Sequence, residues 1–240
     1  MTSPTSSSSS LSTSVAANLA AVRASIVQHG RSLESVTIVA VSKNHDVDVV
    51  RAGYEAGLRV FGENYAHELV AKADATRDLA DLQWQFLGAL QSRKIDTVCQ
   101  WADEVLSVSR DKEVAALALH GAEAPRVFVQ VDYADSPGRN GVAPSAAPAL
   151  IASCRRQGLD VRGLMTVAPP HRREAERAFR LLSELAHREG VAELSMGMSG
   201  DYDLALAYGS TQVRLGPTLF GPRTPDRKST RLNSSHRCIS

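Results

Sequence analysis

Lys43 ends a run of β-branched and small apolar residues, "TIVAVS", and an amine at the mouth of a buried strand is either a solvent cap or a group held at a pocket. Other strand-like runs end in groups of matching interest. "RVFGEN" delivers Glu63 and Asn64, "DVRGLMT" delivers Met165 and Thr166, and "ELSMGMSG" delivers Ser199 and Gly200. "QVRLGPT" carries Arg214 and then Gly216, Pro217 and Thr218. Ser-Gly turns expose backbone N–H groups in a concavity suited to an anion. A lysine whose neutral form is accessible makes Schiff bases with carbonyl compounds. An amine facing anion-type turns, with no cysteine or histidine pattern at metal-ligand spacing, suits an aldehyde-bearing phosphate. Each residue also has a plain reading. Strand-end lysines are mostly solvated, Arg214 suits a salt bridge, Asn64 and Ser199 close turns, and Glu63 suits a helix N-terminus. Met165, Met196 and Met198 read as core or pocket wall. His45 reads as exposed loop.

The elements that must position these groups alternate regularly. Apolar positions at helical spacing run from Val15 to Gly30, where glycine is a common stop. Strand patterns follow at "VTIVAVSK", "RVFGENY", "QWQFLGAL", "EVLSVS", "RVFVQVD", "DVRGLMTVAP", "ELSMGMS" and "QVRLGPTLFG". Each but the last precedes a helical pattern, the longest being "HRREAERAFRLLSELAHREG" with Ala175, Ala178, Leu182 and Leu185 in phase. Eight strands, seven of them followed by a helix, in about this length predict a single (β/α)8 barrel, typically ~250 residues, with an extra N-terminal helix. An open doubly wound sheet would more often place a GxGxxG turn after its first strand, where this chain has Lys-Asn-His-Asp. In a barrel these strand ends converge on one face, and the loops after strands seven and eight often bind phosphate.

The bulk numbers narrow the partners. A formal net charge of +1 over 240 residues gives no field for nucleic acid, and sparse aromatics give no stacking platform. Cys99, Cys154 and Cys238 form no CxxC pair, which points to a reducing, cytoplasmic setting without disulfides. No apolar run reaches the roughly 18–20 residues of a membrane helix, and the N-terminus lacks a secretory pattern. Residues 1–12, serine-rich, are expected to be a disordered leader, and residues 13–222 the barrel. Residues 223–240 are expected to be a disordered tail in which 226–236 look like a translated sequencing adaptor.

The commonest aldehyde-bearing phosphate ligand of proteins is pyridoxal 5′-phosphate. An Asp at its ring nitrogen holds that nitrogen protonated and an Arg disfavours it; Arg214 can reach either ring or phosphate. The ordered motifs "AVSKNHD", "FGENYAHELVAKA", "WQFLGALQSRK", "GLMTVAP", "LSMGMSGDYDLAL" and "GSTQVRLGPTLFG" together resemble the YggS/PROSC family of pyridoxal phosphate homeostasis proteins. The likeness runs from Val15 to Gly221 and extends to the barrel domain of alanine racemase. It implies cofactor on Lys43, with contacts from Asn64, Met165, Ser199, Gly200, Arg214, Gly216, Pro217 and Thr218. It also implies cofactor handling without turnover, apo-enzymes that use the cofactor as recipients, no nucleic-acid or membrane partner, and a monomer or weak dimer.

Three departures bear on the site. The family reads Gly-Thr or Gly-Ser where this chain has Gly216-Pro217, and proline offers neither hydroxyl nor N–H to a phosphate. Trp84-Gln85-Phe86 replaces a Trp-His-Phe pattern, and Arg139 stands for the lysine of a later loop. The competing reading is an amino-acid racemase, which needs a second acid/base opposite the lysine. In two-domain racemases the resemblance assigns that role to a tyrosine of an extra domain; Tyr65, Tyr133, Tyr202 and Tyr208 do not match it by position.

Overall fold

β-Branched residues recur on alternate faces of eight short segments, and all eight pair in parallel. In the computed structural model, which describes residues 5–134 and 139–221, they are β1 (Thr37–Val41), β2 (Val60–Glu63), β3 (Gln83–Phe86), β4 (Glu104–Val108), β5 (Arg126–Gln130), β6 (Val161–Met165), β7 (Glu193–Met198) and β8 (Gln212–Leu215). They close into a barrel in sequence order, β8 pairing back onto β1. The helices are α1 (Thr5–Gln28), α2 (Val47–Glu55), α3 (Ala66–Ala75), α4 (Ile95–Trp101), α5 (Asp111–Ala118), α6 (Ala147–Arg156), α7 (Arg172–Glu189), α8 (Tyr202–Ala207) and α9 (Pro217–Phe220). The fold is the (β/α)8 barrel with an extra N-terminal helix that the alternation predicts.

Side chains alternate across each strand, so each contributes to two cores. Val127 and Val129 of β5, with Val213 and Leu215 of β8, join the layer between barrel and helices. Leu106, Phe128 and Met165, one residue out of phase, form the lumen core together with Leu87 and Val167. The helices bury matching stripes: α7 contributes Ala175, Ala178, Phe179, Leu182 and Leu185, and stops at Gly190, whose φ of 62° is left-handed.

Three expectations are corrected. α1 begins at Thr5, so most of the serine-rich stretch expected to be disordered is helical. Its partners explain this: Leu11 packs on the core and the Ser12 hydroxyl donates to the Glu55 carboxylate. Among the described residues, Ser10–Gln28 also has the length and composition of a membrane-crossing helix. Yet one side of it, Val15, Leu19, Val22 and Ile26, is fully buried against the barrel domain and Arg23 is exposed. Third, the eighth strand ends at Leu215, and Pro217 starts α9, where a missing N–H costs nothing. The suspected adaptor segment, with His236 and Cys238, lies outside the described residues.

Candidate functional site

Strand phase decides which side chains reach the mouth of the lumen. Val41 pairs with Gly62 across β1 and β2, so Lys43 and Asn64, each two residues further on, arrive side by side. Both line a cavity of about 400 Å³ at the C-terminal ends of the strands. The same cavity is walled by Met165, Ser199, Gly200, Arg214, Gly216 and Pro217. Eight of the nine residues expected at the site are thus brought together. The ninth, Thr218, is half-buried beside the cavity and not in its wall; its N–H donates to Ser199 Oγ at 3.3 Å. That bond ties the turn after β7 to the start of α9.

Arg214 is the buried cation of the cavity. Its guanidinium donates to Ser195 O at 2.6 Å, Ser195 Oγ at 2.9 Å and Thr166 O at 2.7 Å. Among the described residues no carboxylate bonds it. Burial lowers its pKa to about 10, the more distant Asp201 opposing. Arg214 pairs in register with Val39 and Met198, deeper in the lumen than the turns that follow β7 and β8. The β7 turn is held by Asp201, whose carboxylate accepts the Met198 N–H at 2.6 Å. Gly197 has φ 95°, and a Cβ there would lie 2.7 Å from that of Ala205, so only glycine lets β7 bend into this turn.

The geometry also moves one expected group away. Glu63, at the end of β2, faces outward into the layer under α3 and does not line the cavity. It is fully buried and shares Lys72 with Glu68. Burial raises the Glu63 carboxyl above the ordinary range, with Lys72 and Ser42 pulling the other way. Lys72 was not legible as a partner, although Glu68 and Lys72 stand four apart on one helix face, the spacing of an ion pair. His45, expected in exposed loop, lines the cavity and packs on Phe220 at 5.7 Å between ring centroids. Leu87, Val167 and Met198 complete the apolar wall.

A cavity of this size, apolar on its walls, with a buried cation at depth and an amine and two turns at the rim, has the character of a small-molecule site at the mouth of a barrel. The family model "Alanine racemase, N-terminal domain" matches residues 14–224. The pyridoxal phosphate homeostasis protein of Deinococcus radiodurans is 38% identical over 212 residues, covering 86% of this chain and 99% of that protein. The chain belongs to the alanine racemase N-terminal domain family and, within it, to the pyridoxal phosphate homeostasis proteins. PipY of Synechococcus elongatus, solved with PLP bound, is 34% identical with a TM-score of 0.76, covering 86% of this chain and all of that one (100%). Alanine racemase from Corynebacterium glutamicum shares the fold at 18% identity and TM-score 0.66; this chain spans 62% of its length.

Proposed function

We propose that this protein binds pyridoxal 5′-phosphate, carries it as a Schiff base on Lys43, and serves intracellular cofactor homeostasis without turnover. The observation that carries this is the convergence of Lys43, Arg214, Ser199-Gly200 and Gly216-Pro217 on one cavity. The residues fit the ligand. Among the described residues Arg214 bonds only carbonyl and hydroxyl oxygens, which leaves its charge for a ligand, and the two turns follow β7 and β8, whose loops often bind phosphate in this architecture. The PLP-bound state of PipY supports the same reading.

A bound cofactor would supply an aldehyde, and Lys43, its amine in the neutral form, would be the residue that holds it. Arg214, deeper than the turns, would face the ring of a bound cofactor, and an arginine there would disfavour protonation of a ring nitrogen. That would weaken the electron sink on which amino-acid chemistry depends and favour retention over turnover. Asn64, Met165, Gly200 and Thr218 complete the proposed contacts. Apo-enzymes that use the cofactor are the proposed recipients, in the cytoplasm. The competing racemase reading would need a second acid/base opposite Lys43.

One titration tests the assignment. Added pyridoxal phosphate is expected to give a Schiff-base absorption band with the wild-type chain and none with Lys43→Ala. A band unchanged in the variant overturns the role of Lys43. Turnover of alanine or serine in a chiral assay, lost in Lys43→Ala, would establish the racemase instead.

A further inference from the structure

Behind the cavity wall lies a cluster of charges that touches no part of the cavity. Lys72 of α3 is 7% exposed in its side chain, and Glu63 is 0% and Glu68 16%. A lysine buried in the layer between barrel and helix is costly, and an apolar residue of similar size would often stabilise the fold as well or better. Its retention asks for a reason other than stability, and the hydrogen bonds supply one. Lys72 Nζ donates to Glu63 Oε1 at 2.7 Å and to Glu68 Oε2 at 2.8 Å. Its third bond goes to the backbone carbonyl of Ser42 at 2.7 Å. The Ser42 hydroxyl donates to the same Glu63 oxygen at 2.6 Å. On the far side, Glu68 Oε2 accepts the backbone N–H of Asn44 at 2.8 Å. The cluster therefore grips the residue before Lys43 and the residue after it.

The backbone between these grips needs such support. Asn44 has φ 60°, in the left-handed region that non-glycine residues enter uncommonly. That bend follows Lys43 directly, beyond the end of β1 at Val41 and beyond the Ser42 N–H that donates to Gly62 O of β2 at 3.2 Å. The Ser42 carbonyl also accepts the His45 N–H at 3.1 Å, closing the turn around Lys43.

We propose that Lys72 and Glu68 are positioning residues for Lys43: by holding the peptide groups on both sides of it, they aim its amine into the cavity for condensation with an aldehyde. This rests on the reading of Lys43 as the Schiff-base lysine. The pair acts on the covalent part of binding and leaves the ring and phosphate contacts alone.

The test compares two ligands on the full-length chain: pyridoxal 5′-phosphate, and pyridoxine 5′-phosphate, which has an alcohol in place of the aldehyde. Lys72→Met and Glu68→Ala are expected to lose about tenfold or more in affinity for the aldehyde, the scale of a misplaced reacting group, with affinity for the alcohol unchanged. Glu68→Gln is expected to fall between, since its amide oxygen still accepts the Asn44 N–H but brings no charge to Lys72. A purely structural role would weaken both ligands together, so an aldehyde-to-alcohol affinity ratio equal to wild type in the variants overturns the proposal. Glu68→Ala, at the half-buried end of the cluster, carries the test by itself if Lys72→Met fails to fold. Lys43→Ala separates the two readings: loss of the ratio there supports the Schiff-base lysine, and a persisting absorption band in Lys43→Ala overturns that reading irrespective of the clamp.

Discussion

Pro217 stands where the family resemblance implies Thr or Ser. It lines the cavity, opens α9 and has no N–H to offer. The neighbouring N–H, that of Thr218, is already donated to Ser199 Oγ. A phosphate at this rim therefore finds one donor fewer, and a hydrogen bond to a charged group is worth ~1.5–3 kcal/mol. Pro217→Thr is expected to tighten pyridoxal phosphate binding by roughly tenfold or more, since each 1.4 kcal/mol is a factor of ten. Side-by-side titration of the two apo-proteins measures it, and equal dissociation constants would refute it. Lys43, Asn64, Ser199 and Arg214 were legible in the sequence because strand ends of a barrel face one mouth, so position along the chain implies position in space. Lys72 was hidden because its meaning depends on the packing of α3 over the end of β1, which periodicity does not encode. His45 was hidden because the left-handed bend at Asn44 redirects the chain after the strand.

At the scale of elements, the βα loops set how closely the site's backbone can be approached. The loop after β3 crosses the end of β2 at Gly88, where a Cβ would lie 1.9 Å from the Asn64 carbonyl oxygen. No flexible side chain can yield there, because the obstacle is backbone. Gly88→Ala must displace either the loop or Asn64. The expected cost is about 1–3 kcal/mol of stability, as for other forced overpacking, with weaker cofactor binding through Asn64. Urea unfolding and the same titration read the two effects. The strands were readable in the sequence as apolar segments of four to six residues between glycine, proline and charged breaks. α9 was not, because "LGPTLFG" is apolar and short, and such a run does not distinguish strand from helix by period. The first turns of α1 were hidden for the opposite reason: serine composition reads as disorder, and the contacts of Leu11 and Ser12 that hold the helix are tertiary.

Across the whole molecule, the lumen is polar at both ends and apolar between. Below Leu106 and Phe128, the floor of the barrel is a chain of side-chain hydrogen bonds. Gln85 Nε2 donates to Glu104 at 2.6 Å and to Gln212 Oε1 at 3.3 Å, and Gln212 Nε2 donates to Glu193 at 3.1 Å. Arg126 reaches Glu104 from the rim at 3.2 Å. Among the described residues Gln85 Oε1 is buried with no hydrogen-bond partner. Burial holds the Glu104 carboxyl above the ordinary carboxylate range, with Arg126 opposing and Glu193 adding to the rise. A carboxyl raised in the folded state binds its proton more tightly there than in the unfolded chain. Its stabilising contribution is complete below the ordinary value of about 4.3 and is lost as pH rises through the folded value. Glu104→Gln removes that loss, and its amide oxygen still accepts the N–H that Gln85 Nε2 donates. Arg126, 38% exposed in its side chain, recovers solvation when its partner's charge goes. The variant is expected to melt about 2–4 °C above wild type at pH 7–8, the shift that about 1 kcal/mol gives in a domain of this size, with the gap closing towards pH 4. Melting curves of both proteins across that range measure it, and a gap that widens on acidification would show that Glu104 stabilises the fold as a carboxylate.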